Sequence, residues 1–396
     1  PPRGRGVVPR QSREWLTSGI QARRLPPLSV AVANPFDSLV IKDLSIPPVL
    51  GGIKAGTKKL CVITGASSGL GRETAKVLAD RGDYFVICAV RDVEKMKQVA
   101  KDEGINTANI AVLQLELSSL ASVRKFVRDL KAFKANRPLD RLVCNAAVYL
   151  PADPEPRYSE DGFEMSMAVN HLGHFLLCNL LLDDMKKATD PRMVIVGSIT
   201  GNSNTVGGGL VYPRADVGEF QGWKENDGRY IPMVDGKNFL GAKAYKDSKV
   251  CNMMTVSELH RRYHESTGIV FSSLYPGCIA ESNLFREKRQ WFRDLFPLFM
   301  KYVTGGYVSE AESGERLAQV VADDVCSKSG VYWSWNGGAK RVGVYNVKKG
   351  QVTGAGGSGG EIFENGQSTM VSDQMKARKM FDLSSKLVDC SWPKEA

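Results

Sequence analysis

Tyr245 and Lys249 have the side-chain types and the spacing that proton transfer requires. They lie four residues apart, so a helix would place both side chains on one face. A phenol has a pKa of about 10, too high for an efficient proton relay near neutral pH, and a neighbouring cation lowers that pKa by favouring the phenolate. The pair is therefore a candidate proton donor with a tuning cation, although the same spacing is common on surface helices without a function.

A glycine-rich turn lies upstream, in the sequence KLCVITGASSGLGR at residues 59–72. The apolar run predicts a buried parallel strand, and the glycines predict a sharp turn into a helix whose N-terminal N–H groups could bind phosphate. Gly65 would allow the turn, Gly69 would leave room for a pyrophosphate, and Gly71 would let the helix lie close to the sheet. The spacing is not G-x-G-x-x-G, so a glycine turn without a ligand is the alternative. The predicted cofactor contacts here are Thr64, Gly65, Ser67, Ser68, Gly69, Leu70, Gly71 and Arg72.

Arg91 follows the second apolar run, at the position where a cofactor ribose would lie. An acid there would bind a free 2′-hydroxyl, whereas an arginine suits a 2′-phosphate, which favours NADPH over NADH. Lys95 lies one helical turn further on and can assist. The alternative is a solvated surface arginine.

The elements that must position these residues alternate along the chain. Predicted strands cover 59–64, 84–90, 110–115, 139–144, 193–196, 269–274 and 331–335. Predicted helices cover 70–81, 93–103, 120–133, 163–187, 242–264, 306–322 and 373–387. This alternation predicts an α/β fold, a Rossmann-type doubly wound parallel sheet with ligands beyond the carboxyl ends of the strands. The candidate residues lie near those ends.

Composition narrows the class of protein. The 396 residues are 43% hydrophobic and 24% charged, which is typical of a globular protein. The 8 cysteines form no C-x-x-C pair, so we predict neither a disulfide framework nor a metal site. We expect them to be buried thiols in a reducing compartment. The sequence contains no run of about 18 apolar residues, so we predict no membrane-spanning helix. The net charge is +10, but no nucleic-acid-binding motif accompanies it, so we expect no nucleic-acid partner.

The basic charge is concentrated at the beginning of the sequence. Residues 1–36 contain six arginines, no lysine and a single acid, Glu14. An arginine-rich, acid-poor segment without a folding pattern is typical of an organelle transit peptide, and a disordered basic tail is the alternative. Residues 37–57 are predicted to be a linker, and 58–396 a single cofactor-binding domain.

Three further segments accompany the glycine-rich turn and the Tyr245–Lys249 pair. They contain Asn145 within CNAA, Asn170 within NHLGHF, and Ser198 within GSITG. In this order, the set resembles the short-chain dehydrogenase/reductase family over about residues 58–335. The resemblance implies that Ser198 is the hydroxyl partner, Tyr245 the proton donor, Lys249 the tuner and ribose contact, and Asn170 part of the proton relay. It also implies a cofactor contact from Asn145. Ala147 stands where the family usually has glycine.

The stretch between Ser198 and Tyr245 is much longer than ordinary members of that family need. We expect the insertion, residues 200–240, to be a loop built over the site for a large ligand. Further on, the sequence LYPGCIAESNLFR at 274–286 leads into an aromatic, basic segment, 281–304, which we expect to form a lid.

The insertion, the Tyr-Pro-Gly-Cys turn and the lid resemble one branch of the family, the light-dependent protochlorophyllide oxidoreductases. The resemblance implies a chloroplast enzyme of chlorophyll biosynthesis that uses light and NADPH to reduce the C17–C18 double bond of protochlorophyllide. It adds Pro276 and Gly277 as cofactor contacts. The implied pigment contacts are Tyr275, Cys278, Phe285, Tyr212 and Phe239, and Cys278 is an alternative to Tyr245 as proton donor.

Aromatic side chains could wall a wide pocket for such a pigment, although ordinary packing would account for about half of them. Lysines or arginines near its mouth could meet the propionate. The candidates are Tyr212, Phe220, Trp223, Tyr230, Phe239, Phe285, Trp291, Phe296 and Phe299. The mixture of basic and apolar residues in the lid also suits an interfacial helix, so we expect peripheral contact with plastid membrane lipid, and we expect a homo-oligomer.

Two segments depart from this branch's pattern: the Gly-rich loop 350–360 and the run Lys288–Gln290. One alternative function is an ordinary light-independent short-chain dehydrogenase/reductase acting on a retinoid-like or other carbonyl or alcohol substrate. Another is a non-catalytic NADPH-dependent scaffold, but such a protein would not need the Tyr245–Lys249 pair.

Overall fold

The computed structural model describes residues 54–223, 232–337 and 354–394. All of them belong to one compact unit, Phe36–Ala396. The predicted transit peptide, most of the predicted linker, residues 224–231 of the insertion and residues 350–353 of the Gly-rich loop lie outside the described residues, as does Tyr230.

An eight-stranded sheet forms the centre of the molecule, in the order β3-β2-β1-β4-β5-β6-β7-β8. β1 to β7 are parallel, and β8 pairs antiparallel with β7. Their apolar runs are almost continuous because both faces of the sheet are covered. The bounds are β1 Lys59–Thr64, β2 Tyr84–Val90, β3 Ile110–Gln114, β4 Arg141–Cys144, β5 Arg192–Val196, β6 Val270–Leu274, β7 Val331–Trp335 and β8 Ile362–Glu364.

Helices cover both faces of the sheet, as the doubly wound prediction requires. The bounds are α1 Gly69–Arg81, α2 Val93–Asp102, α3 Leu120–Lys134, α4 Met165–Met185, α5 Gly241–Thr267, α6 Gln290–Leu298, α7 Glu310–Ala322 and α8 Gln374–Leu387. One hydrophobic cluster joins the sheet to α3, α4, α5 and α8, and a second joins it to α1, α2 and α7. Short helical turns occupy Thr107–Asn109, Ile199–Gly201, Val206–Gly209, Gln221–Trp223, Asn283–Phe285, Asp324–Cys326 and Thr369–Ser372.

Helix α4 is long and apolar enough to cross a membrane by length and composition alone. However, 83% of its most apolar window is buried inside the protein. It is therefore a core helix, packed against α3 and α5. It widens into a π-helical turn at Ala168–Leu172, the segment that carries Asn170.

Most predicted bounds agree with the structure to within three residues, and two features differ more: the start of α7 and the additional strand β8. The helix predicted over 306–322 begins at Glu310, because Ser309 caps it by accepting a hydrogen bond from the Glu312 N–H. Tyr307 instead forms an isolated bridge with Cys278, so 306–309 lie beside the Tyr-Pro-Gly-Cys turn. Strand β8 was not predicted, since it is only three residues long.

The described parts of the insertion are not an open loop. Val217, Phe220, Trp223 and Val234 are buried in the same cluster as α4 and α5. The insertion therefore enlarges the hydrophobic core on that face.

Candidate active site

The carboxyl ends of β1, β2, β4, β5 and β6 open into one cavity of about 1240 Å³. Ligands are expected at this edge of a parallel sheet. The glycine-rich turn lines one part of the cavity, and Tyr245, Cys278 and the lid aromatics line another. The structure therefore brings the glycine-rich turn and the Tyr245–Lys249 pair together at one cavity.

Thr64, the last residue of β1, ties two of the strand ends together. Its hydroxyl accepts hydrogen bonds from the backbone N–H groups of Asn145 at 2.9 Å and Ala146 at 3.0 Å. It also lies 2.8 Å from Nε2 of His174, a fully buried ring whose pKa is lowered to about 4 by burial. A neutral His174 can accept from the hydroxyl while its Nδ1 donates to the Asn170 carbonyl, 3.1 Å away. Thr64 does not line the cavity, so it acts by bracing the turns that do.

The glycine turn is packed against Asn145 as closely as its sequence predicts. A Cβ on Gly71 would clash with the Asn145 side chain and lie 2.6 Å from the Gly65 carbonyl oxygen, and one on Gly65 would lie 2.9 Å from Ala146. Asn145 is held by donating from Nδ2 to the Thr64 carbonyl at 2.9 Å. Only glycine fits at these two positions, and the fit leaves the N-terminus of α1 open to the cavity.

The three predicted basic cofactor contacts differ in their surroundings. Arg91 and Lys95 line the cavity, and the Arg91 side chain is 77% exposed, with only a loose contact of 3.8 Å to Glu116. Arg72 lies apart from the lining residues. Its guanidinium pairs with Glu73 at 2.6 Å, Glu103 at 2.8 Å and Glu310 at 2.9 Å. Arg91 is therefore available to an anionic ligand, whereas Arg72 is already neutralised.

Tyr245 lies in the first part of α5 and lines the cavity. Burial raises the pKa of its phenol well above the ordinary value, while a hydrogen bond with Ser198 lowers it in part. Ser198 in turn lies 2.9 Å from the Thr200 hydroxyl. The phenol is thus protonated at neutral pH, the form that a proton donor needs.

Lys249 is buried beside Tyr245, with its ammonium 5.8 Å from the centre of the phenol ring. It donates to the Val196 carbonyl at the end of β5, at 2.9 Å. Burial lowers the pKa of Lys249 to about 8. Burial has the largest effect on the Tyr245 phenol, and it raises the pKa. The lowering of that pKa by the Lys249 charge therefore stays a prediction.

Asn170 is fully buried in the π-helical turn of α4. Its side chain accepts from the Val148 N–H at 2.8 Å, and donates to the Val148 carbonyl and the Ser248 hydroxyl, both at 3.0 Å. These bonds fix the segment that follows β4 to α5. The predicted relay role of Asn170 remains a prediction, since the hydrogen bonds of its side chain brace the turn after β4 and helix α5.

The Tyr-Pro-Gly-Cys turn follows β6, and all four of its residues line the cavity. Burial raises the pKa of the Cys278 thiol to about 12, so it too is protonated at neutral pH. The turn is held from behind by Arg316, which donates to the Pro276 carbonyl at 2.8 Å. Both candidate donors, Tyr245 and Cys278, thus face the same cavity.

Aromatic rings form the wall around Tyr245. The Tyr149 ring centre lies 4.9 Å from that of Tyr245 and 6.0 Å from that of Phe285, and Phe285 continues to Phe296 at 5.2 Å. Phe292 stacks on Phe296 at 4.7 Å. These rings, most of them tilted or edge-on to one another, give one side of the cavity an apolar, aromatic lining.

The predicted wall residues divide into several groups. The cavity is lined by Tyr212, Phe285, Phe296 and Phe299. Phe239 is half-buried and does not line the cavity. Phe220 and Trp223 are core residues, and Trp223 stacks on His171 at 5.9 Å. Trp291 is 60% exposed on the outer side of the lid. Aromatic content alone could not separate these environments.

Several lining residues were not predicted: Tyr149, Lys246, Lys288, Phe292 and Gly354–Gly356. Tyr149 follows a strand end, so its position offered a signal. Lys246 lies next to Tyr245, but lysines on helices are too common to be informative. The glycines could not be placed from sequence, because Arg316 holds their loop by donating to Gly357 and Gly359 at 2.8 and 2.9 Å. No metal-binding cluster occurs among the described residues.

Comparisons with known proteins agree with this site. A family model described as short chain dehydrogenase matches residues 59–215. Over 341 residues the chain is 52% identical to the chloroplastic protochlorophyllide reductase of Daucus carota, covering 85% of this chain and 80% of the relative. The corresponding protein of Chlamydomonas reinhardtii is 52% identical over 371 residues, covering 93% and 87%. This chain belongs to the protochlorophyllide reductase family.

Membership of the family confirms the resemblance inferred from the insertion, the Tyr-Pro-Gly-Cys turn and the lid. It also makes the chain an oxidoreductase of the short-chain dehydrogenase type, with a nicotinamide cofactor. A solved structure of an uncharacterized protein from Mycobacterium paratuberculosis shares the fold, with a TM-score of 0.57 and 24% identity, covering 86% of this chain and 98% of that one.

Proposed function

We propose that this chain catalyses the light-driven, NADPH-dependent reduction of the C17–C18 double bond of protochlorophyllide, giving chlorophyllide, in a plastid. The observation that carries the proposal is one cavity in which a glycine cradle, two protonated acids and an aromatic wall meet, in a chain about half identical to named protochlorophyllide reductases. The plastid location rests on the chloroplastic relatives and on the arginine-rich residues 1–36.

The residues fit the proposed dinucleotide. The contact between Gly71 and Asn145 leaves the backbone at the start of α1 free to approach a pyrophosphate. Ser68 caps α1 without a side-chain hydrogen bond, so N–H groups at the helix end remain for an anion. Arg91 and Lys95 would meet a 2′-phosphate, which supports NADPH over NADH. When bound, the dinucleotide supplies the hydride for one carbon of the double bond.

The protein's part is to supply a proton to the other carbon. Tyr245 is protonated because burial raises the pKa of its phenol, and Ser198 can stabilise the phenolate that remains after transfer. Lys249 places its charge 5.8 Å from the ring. Cys278 is also protonated and is the alternative donor. The pigment absorbs the light, so no separate chromophore is required.

The size of the cavity also favours a large substrate. Pockets for a single small molecule have volumes of about 300–1,000 Å³. The cavity here, of about 1240 Å³, is larger than that range, which supports a substrate that occupies it together with a dinucleotide. An ordinary dehydrogenase for a retinoid-like substrate would share Ser198, Tyr245 and Lys249, but it would not need the lid aromatics and Cys278.

An absorbance experiment separates these functions. Purified protein with NADPH and protochlorophyllide is measured in darkness and after a flash. A red-shifted product band that forms only after illumination, and that is lost or slowed in Tyr245→Phe, supports the proposal. Conversion in the dark would indicate an ordinary reductase, and absence of pigment binding would refute the proposed substrate.

The outer face of the lid supports the proposed contact with membrane lipid. Phe292 and Phe296 line the cavity, whereas Trp291 is 60% exposed, Leu295 57% and Tyr302 74%. Trp291→Glu combined with Leu295→Glu should weaken flotation with anionic liposomes, because it replaces two exposed apolar side chains of this face with carboxylates while Phe292 and Phe296 still line the cavity. Unchanged flotation would refute the membrane contact. Gel filtration of the same variant tests whether this face instead joins copies of the predicted homo-oligomer.

A further inference from the structure

Tyr332 is a buried phenol that the proposed mechanism does not use. It lies in β7, in register with Ser273 of the neighbouring strand β6, and it is 1% exposed. Its side chain belongs to the hydrophobic cluster that joins the sheet to α5, the helix that carries Tyr245. Tyr332 does not itself line the cavity, so any effect on the reaction must pass through a residue that does.

The hydroxyl of Tyr332 is buried and has no hydrogen-bond partner among the residues that the structure describes. Tyr263, another fully buried tyrosine, shows the usual arrangement, since its hydroxyl donates to the Pro393 carbonyl at 2.9 Å. An unpaired buried hydroxyl is unfavourable because it has given up its hydrogen bonds to water. A native protein that retains such a group commonly uses it to hold a buried water or to serve the reaction.

The hydroxyl end of the Tyr332 ring lies against the cavity wall at Gly197. A Cβ on Gly197 would lie 3.1 Å from Cε2 of Tyr332, the ring carbon next to the one that bears the hydroxyl. Gly197 lines the cavity, and the next residue is Ser198, whose side chain hydrogen-bonds the Tyr245 phenol. The unpaired hydroxyl is therefore placed behind the wall, beside the pair that handles the proton.

The phenols at this wall lie close enough to influence one another's ionisation. Burial raises the pKa of Tyr332, and a negative charge on Tyr245 raises it further. In the same way, burial raises the pKa of Tyr275, and charges on Tyr332 and Tyr245 add to that effect. Tyr332 therefore stays protonated at neutral pH and can donate a hydrogen bond. A donor without a partner is well placed to stabilise an anion that forms only during the reaction.

We propose that Tyr332 is a positioning residue whose hydroxyl, through one bound water, donates a hydrogen bond toward the phenolate that Tyr245 becomes when it delivers its proton. The water is needed because the two phenols are not directly bonded to each other. Tyr332 keeps its own proton throughout, and it assists Ser198 in stabilising the same anion. The inference rests on the proposed function, and it requires Tyr245 rather than Cys278 as the proton donor.

Tyr332→Phe tests the proposal because it removes the hydroxyl and keeps the ring. The rate of product formation after a flash is measured in H₂O and in D₂O, with NADPH and protochlorophyllide bound. The rate should fall about tenfold, the effect of one hydrogen bond to a charged group, and the solvent isotope effect should rise because proton delivery becomes slower.

Two measurements verify that the variant is intact. Dissociation constants for NADPH and pigment in darkness should not change, because Tyr332 does not line the cavity. The urea midpoint should not fall, since the lost hydroxyl has no partner in the described chain. Tyr84→Phe, in a tyrosine of β2 that is also 1% exposed, provides a matched control and should behave as the wild type.

Each contrary result is distinct. If Tyr332→Phe matched the wild type in rate, or was slower with an unchanged isotope effect, the inference would be refuted while the proposed function stayed intact. If Tyr332→Phe weakened the binding of NADPH and pigment in darkness, the hydroxyl would serve to support the cavity wall, and the inference would fail. A wild type without light-driven conversion would remove the proposed function and this inference with it.

Discussion

Replacing Gly71 with alanine would separate helix α1 from the turn that follows β4. The new Cβ would clash with the Asn145 amide and lie 2.6 Å from the Gly65 carbonyl oxygen. Because the Gly65 contact is backbone, a side-chain rotation cannot relieve it. The helix must shift, or Asn145 must release its 2.9 Å hydrogen bond to the Thr64 carbonyl.

The expected cost follows from these contacts. Overpacking a tight site costs about 1–3 kcal/mol, and a lost hydrogen bond adds about 1 kcal/mol. Alanine's higher helix propensity offsets about 1 kcal/mol. We therefore expect Gly71→Ala to lower the free energy of unfolding by about 1–3 kcal/mol. Because the displaced backbone forms the phosphate cradle, NADPH affinity should fall at least about tenfold, equivalent to about 1.4 kcal/mol.

Gly82 provides a control at the other end of the same helix. It caps α1 with φ +81°, and a Cβ there would have no neighbour within 4 Å. Gly82→Ala should thus cost about 1–2 kcal/mol through backbone strain alone, with NADPH affinity unchanged. Urea denaturation gives the stabilities, and NADPH fluorescence titration gives the affinities. If Gly71→Ala bound NADPH as the wild type does, the close approach of α1 would not be what forms the cofactor site.

Three further perturbations test the surroundings of the site. Thr64→Val should lower the free energy of unfolding by about 1–3 kcal/mol in urea denaturation, because it leaves two partly buried backbone N–H groups, those of Asn145 and Ala146, without an acceptor. Arg316→Met should cost about 2–4 kcal/mol, because it leaves the buried carbonyl groups of Pro276 and Gly357 without their donor, and differential scanning calorimetry should show the loss. The Lys249 amine is a cation below its pKa of about 8 and neutral above it, so the rate of proton delivery after a flash should fall as pH rises through about 8. Lys249→Arg should extend the plateau to higher pH, and an unchanged profile would contradict the role of the charge.

The parts of the fold that sequence predicted are those in which local pattern and tertiary environment agree. Strands β1 and β2 match their predicted bounds, because strands buried on both faces read as continuous apolar runs. The glycine turn and the Tyr245–Lys249 pair were predictable because their chemistry requires fixed residue types at fixed spacing. These site residues could be predicted from local motifs, taken in their order along a sequence of alternating strands and helices.

The remaining residues depend on contacts between distant segments. Lys288 lines the cavity because the segment before α6 places its amine over the ring of Tyr149, a residue that follows β4. Arg316 has its role because α7 carries it behind the Tyr-Pro-Gly-Cys turn. Aromatic residues in an insertion suggest a ligand, which makes Phe220 and Trp223 candidates for the pocket wall, but the hydrophobic core uses the same residue types and contains both.

Helix α5 explains how so long an insertion can be ordered over the site. Asp247, two residues from both Tyr245 and Lys249, is fully buried and accepts from the Asp216 N–H at 2.8 Å. Lys243 pairs with Asp247 at 2.6 Å and Asp235 at 3.0 Å, which ties both described halves of the insertion to the helix. Lys246 adds two further bonds to the insertion's backbone. The helix that carries Tyr245 into the cavity thus also fixes part of the cavity wall, so displacing the insertion would disturb this candidate proton donor as well as the pocket.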